Sequence, residues 1–156
     1  MGTKRVGWAR IRSLINENTN ALKTQKDVVR TALTADTDLT SADYGTVILL
    51  DGSAALNLEM VLPEDPPIGS TLEFLLVANS HANTEILLDS GSSHTINGYA
   101  LKFTASANTT AFHSHRKLGW GDASKKGGHL KLVCTSANHW MIQDSRSDTT
   151  WINAHT

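Results

Sequence analysis

Cysteine is almost absent from this sequence: Cys134 is the only one, and the three prolines, Pro63, Pro66 and Pro67, fall in one short stretch. A single thiol excludes an intrachain disulfide and a cysteine-based zinc site, and it fits assembly in a reducing compartment. Stability is left to packing or to oligomerisation. The clustered prolines keep both a helix and a central strand out of residues 63–67, so a loop is required there. Aromatics make up only 6% of the chain. No run of about 18 apolar residues is present to form a membrane-spanning helix. The basic start lacks the apolar core of a secretion signal, so the protein is expected to be soluble and unprocessed. Lysine and arginine are missing altogether between residues 31 and 101, where all ten acids of that stretch stand unopposed. Residues 1–30 carry seven bases against two acids, and residues 102–156 carry seven against three. The formal charge of -1 therefore hides a basic head, an acidic middle and a basic tail. Segregation of this kind bears on partners and encounter rates, not on fold.

What is present is mostly β signal. Around Asp43-Tyr44-Gly45 a turn opens the apolar run 46–50, Asp51-Gly52-Ser53 closes it, and Leu56, Leu58, Met60 and Leu62 then alternate with Asn57, Glu59 and Val61. That period of two marks a half-buried strand. Strands are expected over 44–50, 55–62, 71–78, 84–89, 94–105, 109–113, 129–136 and 139–144, with room for one more short strand in the polar connector before residue 42. Short strands at this spacing, with no helical period after residue 33, predict a mainly β protein, an antiparallel β-sandwich or barrel-like domain, and argue against βαβ units. Leu130, Leu132 and Cys134 are expected to face the core, with Trp140 plugging it beside Cys134.

The one helical pattern lies in residues 4–24, where Trp8, Ile11, Ile15 and Leu22 recur at spacings of three, four and seven, and Asn18 fills the remaining position. This short heptad-like seam needs something to pack on. It can lie across the domain's own sheet, associate with other copies, or dock on a larger partner. The expected organisation is an N-terminal basic amphipathic helix or arm over 1–33, a β domain over 34–144 and a tail over 145–156. In that tail Trp151 and Ile152 are the apolar residues available to dock on a neighbour. Lys4, Arg5, Arg10 and Arg12 raise the question of nucleic acid. Apart from Trp8 the arm lacks interleaved stacking aromatics, and the acidic middle repels a duplex, so a protein-contacting basic face is the default.

No constellation meets the context that chemistry requires. His113 and His115 would share one face of a strand but lack a third metal ligand; exposed loop histidines are the plainer alternative. Cys134 is a core thiol, no serine sits at a nucleophile elbow, and no carboxylates pair as an acid/base couple. Gly119-Trp120-Gly121 and Gly127-Gly128 lack the strand-to-helix setting of a phosphate loop. The expectation is no enzyme, no catalytic residues, no metal and no cofactor.

Several segments together resemble a known family. Leu39-Thr40-Ser41-Ala42-Asp43-Tyr44-Gly45-Thr46, the Leu62-Pro63 loop with Ile68-Gly69, the Phe74 strand, Ile96-Asn97-Gly98, and Leu130-Lys131-Leu132-Val133-Cys134 followed by Asn138-His139-Trp140 resemble small β-rich virion proteins of tailed bacteriophages. The likeness is in particular to capsid decoration, or cement, proteins, and the start, Lys4 to Asn20, is similar to a head segment of such proteins in phages of cyanobacteria. The resemblance implies a homotrimer on the outer capsid surface of the virion, made in the host cytoplasm and clamping the major capsid protein after shell expansion, with no membrane partner. On that expectation Lys4, Arg5, Trp8, Arg10 and Arg12 contact the capsid, while Trp8, Ile11, Ile15, Leu22, Trp151 and Ile152 form the oligomer interface. The segment from His113 to His129 departs from the pattern. The same signature occurs in tail modules, so the alternative is a receptor- or glycan-binding module of a tail fibre or head fibre, with Trp120, Tyr99 or Trp151 as its sugar platform.

Overall fold

The computed structural model describes residues 32–148 and 151–154, apart from 55, 83, 93, 104–107 and 138. The amphipathic helix expected in residues 4–24 lies outside the described residues, and so do Lys4, Arg5, Trp8, Arg10, Arg12, Ile11, Ile15 and Leu22. The strands are β1 (Thr37–Asp38), β2 (Val47–Leu50), β3 (Leu58–Val61), β4 (Thr71–Leu76), β5 (Ile86–Asp89), β6 (Thr95–Phe103), β7 (Asn108–His115), β8 (Lys117–Trp120), β9 (His129–Ser136), β10 (His139–Arg146) and β11 (Trp151–Ala154). A 3-10 turn, Ser41–Asp43, precedes β2. Its Asp43 carboxylate reaches back to accept from the Thr40 backbone N–H at 2.8 Å, which ties off the start of the turn.

The strands form a five-stranded sheet, β1-β3-β5-β8-β11, and a six-stranded sheet, β2-β4-β9-β10-β6-β7. Both are mixed. β1, β3 and β5 run parallel in the first, β2 and β4 run parallel in the second, and β6 is parallel to β10. This corrects the antiparallel expectation. Parallel neighbours need a crossover, usually a helix; here β1 to β6 alternate between the two sheets, so β2 and β4 are the crossovers of β1, β3 and β5 and β3 is the crossover of β2 and β4, while β6 and β7, and β9 and β10, are consecutive antiparallel neighbours within one sheet. Neither sheet closes into a barrel, since each ends on strands with one neighbour.

Alternation builds one core between the sheets. From the six-stranded sheet come Ile48, Leu50, Leu72, Phe74, Leu130, Leu132, Cys134, Trp140 and Ile142, and from the other Leu58, Met60, Ile86, Leu88, Leu118 and Trp120, all in one buried cluster. Cys134 stands opposite Trp140 in the β9–β10 register, as expected. Leu56 departs from the expected alternation: β3 starts at Leu58, and Leu56 stays 68% exposed in the preceding loop.

β8 and β11 are the strands the sequence did not signal. β8 completes the five-stranded sheet through Gly119, which sits opposite Leu87 with the Ile86 carbonyl where a Cβ would be. Gly119 therefore serves close strand approach, while Trp120 beside it fills the core. β11 pairs antiparallel with β8, Trp151 opposite Trp120 and Ile152 opposite Gly119. The backbone of that part of the tail is thus held by its own domain.

Candidate binding surface

Charged side chains cluster on the five-stranded sheet. Asp89 ends β5 on the outward-facing side of the strand, yet its side chain is only 3% exposed, because Arg116 and Lys117 fold over it. Arg116 donates from Nε at 2.7 Å and from Nη2 at 2.6 Å, a two-point fork onto one carboxylate. Lys117 Nζ lies 3.3 Å from the same carboxylate and donates to both oxygens of Glu59 at 3.0 Å. The Gly91 N–H closes the ring of donors at 2.8 Å. Burial pulls the Asp89 carboxyl upward, but these bonds outweigh it and hold the group at about 2. The same contacts raise Arg116 and Lys117 above their ordinary values, through the hydrogen bonds to Asp89 and to Glu59 respectively. A carboxylate held ionised by two cations is a poor proton acceptor at neutral pH, so this cluster is a structural pin between β3, β5 and β8. On the other sheet Glu73 is bound at 3.0 Å by His129 and lies 3.9 Å from Lys131.

The two histidines singled out in the sequence do lie on one face of a strand, β7, with ring centroids 6.4 Å apart. They are not on a loop, and His113 is 1% exposed on the core side. Among the described residues no group of three His, Cys, Asp or Glu side chains is placed to hold a metal ion. Burial raises the Cys134 thiol above its ordinary value, and its S–H faces the carbonyls of Pro66 and Ser136 at 3.3 and 3.2 Å. A shallow cleft of about 160 Å3 is lined by Lys125, Lys126, Gly127, Gly128, Arg146, Ser147 and Asp148. Its backbone amides are committed, Lys125 to Asp148, Lys126 to Asn79 and Gly127 to Leu76, so it offers no nest of free N–H groups to an anion.

The outer face of β6, β7 and the start of β10 is different in kind. Tyr99 on β6 and Phe112 on β7 are directly opposed across the strands, 65% and 60% exposed, with ring centroids 5.3 Å apart in an edge-to-face arrangement. Met141 on β10, 40% exposed, stands opposite Asn97 on β6. Asn97 and Thr95 share the outward side of β6 with Tyr99, since Ile96, Gly98 and Ala100 between them are buried. Gly98 is required for this arrangement: it adopts a φ of 129°, and a Cβ there would sit 3.0 Å from the Ile142 side chain. Beside Thr95, His139 begins β10 and is exposed.

The chain matches no protein-family model, no curated protein and no solved structure. Of the three aromatics named as a sugar platform, Trp120 is fully buried and is removed from that role, and Tyr99 is exposed; the side chains of Trp151 and Ile152 lie outside the described residues. Neither the Asp89 pin nor the Tyr99 face was assembled from the sequence: Glu59, Asp89 and Lys117 come from strands far apart in the chain, and β10, which brings His139 and Met141 to the consecutive strands β6 and β7, joins Thr95 from 44 residues away.

Proposed function

We propose that this is a structural virion protein that binds the outer surface of a tailed-phage capsid as a trimer and stabilises the expanded shell. One observation carries the non-catalytic part of this proposal: the best-placed ionisable groups of the described domain are spent on its own architecture. Asp89 is locked by Arg116 and Lys117, Glu73 is engaged by His129, and Cys134 is buried in the core. A scaffold of this kind is suited to presenting peripheral segments to a partner. The peripheral elements expected to make contact are the basic residues Lys4, Arg5, Arg10 and Arg12 with Trp8. The trimer and the capsid partner are supported by the resemblance of the turn, Leu-Pro loop and Trp hairpin segments. A protein that binds only the intact shell stabilises it by mass action.

Co-sedimentation with empty expanded capsids tests the proposal, together with light scattering of the free protein. The expected result is saturable binding that falls at least tenfold in the Arg5→Ala, Arg10→Ala, Arg12→Ala triple variant. Full binding by that variant refutes the arm's assignment, and a clean monomer refutes the trimer. Hundreds of copies per virion fit decoration, whereas a handful place the chain on a tail or head fibre.

A further inference from the structure

We infer that the outer face of strands β10, β6 and β7 is a binding site for a neutral glycan, with Tyr99 and Phe112 as the stacking platform and Asn97 and His139 as the groups that read its hydroxyls. The inference stands on this face alone and holds wherever the domain is mounted.

The polar half of the site is pre-ordered. The Asn97 amide nitrogen, which can only donate, lies 3.0 Å from the Thr95 hydroxyl and 3.2 Å from Nδ1 of His139, and the Thr95 hydroxyl is 2.7 Å from the same Nδ1. With the amide donating to it, Nδ1 is an acceptor, and the imidazole proton sits on Nε2. Asn97 and Thr95 thus hold the ring orientation, and among the described residues no partner takes the Nε2–H. Among the described residues the Asn97 carbonyl oxygen and the Tyr99 hydroxyl also have no partner, so one donor, one acceptor and one group of either kind face outward from paired strands.

The apolar half is unusual for a domain with so few aromatics. Two of them are spent on an exposed cross-strand pair, and exposed Met141 on β10 stands opposite Asn97, two residues before Tyr99 on β6. An exposed apolar cluster rimmed by polar groups marks an interaction site. The negative face of an aromatic ring attracts the slightly positive C–H bonds that line one side of a pyranose ring, and the adjoining donor and acceptor suit its hydroxyls. Tyr99, Phe112, Met141, Asn97, Thr95 and His139 include no lysine, arginine or carboxylate, so nothing in the site selects a charged sugar. Successive outward residues on β6 are about 7 Å apart, so the row from Phe112 through Tyr99 and Asn97 to His139 accommodates about two to three sugar rings.

The test is amide-resolved NMR titration of the full chain with cellohexaose, chitohexaose and mannohexaose. At least one is expected to give saturable shifts centred on Asn97, Tyr99, Phe112 and His139. Tyr99→Ala and His139→Ala should each weaken that binding at least tenfold, while Ile68→Ala, at a separate exposed site, leaves it unchanged. All three replaced residues are exposed, so the variants fold, and the dispersed amide spectrum verifies this. Three outcomes overturn the inference: no saturable shift with any of the three probes, shifts mapped elsewhere, or binding indifferent to both variants. If the same amides shift with protein concentration in the absence of sugar, and Tyr99→Ala abolishes that shift, the face is occupied by a second copy and the glycan site is refuted.

Discussion

Replacing Asp89 by Asn keeps the side chain's shape and one acceptor oxygen but removes the charge that Arg116 and Lys117 enclose. The carboxyl is held at about 2 against an ordinary 3.8. At 1.36 kcal/mol for each factor of ten, the ionised form contributes about 2 kcal/mol to folding at neutral pH. The sign follows from the direction of the shift. A group depressed in the folded state stabilises above its unfolded value, and the contribution is lost as pH falls through about 4 toward about 2. The stability difference between wild type and Asp89→Asn is therefore expected to narrow by about 1.5 kcal/mol between pH 7 and pH 2.5. For a chain of this size that corresponds to a closing of the gap in Tm by about 3–6 °C. Thermal unfolding followed by the fluorescence of the buried Trp120 and Trp140 measures it. Any pH-independent cost of leaving the two cations with only the partly exposed Glu59 cancels in the comparison. A gap that stays constant over this range would refute the ionic account of the Asp89 cluster and leave only packing.

Three further outcomes follow from the packing. Gly119→Ala places a methyl group on the Ile86 carbonyl, so β5 and β8 must separate; a loss of more than about 3 kcal/mol is expected, and a urea midpoint near wild type would show that the sheet yields there. Cys134 should resist a thiol reagent in the native state and react with one equivalent after unfolding in denaturant, because it is buried and its thiol is shifted upward; rapid native reaction contradicts its core placement. Trp140→Ala should cost about 3–5 kcal/mol, the usual penalty for emptying a large buried site, measured by urea denaturation with the buried Trp120 as reporter.

Much of the fold was legible because burial on one face of a strand leaves a period of two. Leu58, Met60 and Leu62, Ile86 and Leu88, and Leu130, Leu132 and Cys134 alternate with half-buried or exposed neighbours and face the core. β8 escaped because Lys117-Leu118-Gly119-Trp120 offers four residues, one of them a glycine, too few to display a period. β11 escaped because its neighbours are polar and its pairing is with β8, some 30 residues earlier. Parallel pairing was hidden for another reason: alternation reports which face is buried, not which strand lies alongside. The sequence places His113 at the end of an expected strand, 109–113, with an exposed loop as the plainer alternative; its burial on the inner side of β7 follows from the side of the strand opposite Phe112, which only the pairing of β7 with β6 decides.

The sequence by itself determined the mainly β character, the loop at Pro63–Pro67, the core role of Cys134 and Trp140, and the segregation of charge. These depend on local chemistry: side-chain period, fixed proline φ and the apolar character of a run. Only the tertiary structure decided which residues meet. Asp89 finds Arg116 across 27 positions, Lys117 finds Glu59 across 58, and His139 joins Thr95 across 44. Those distances in sequence carry no signal, because strand order is chosen by the burial of two whole sheet faces rather than by any one residue. The pin that holds the scaffold and the face that the structure offers to a ligand are both products of that choice.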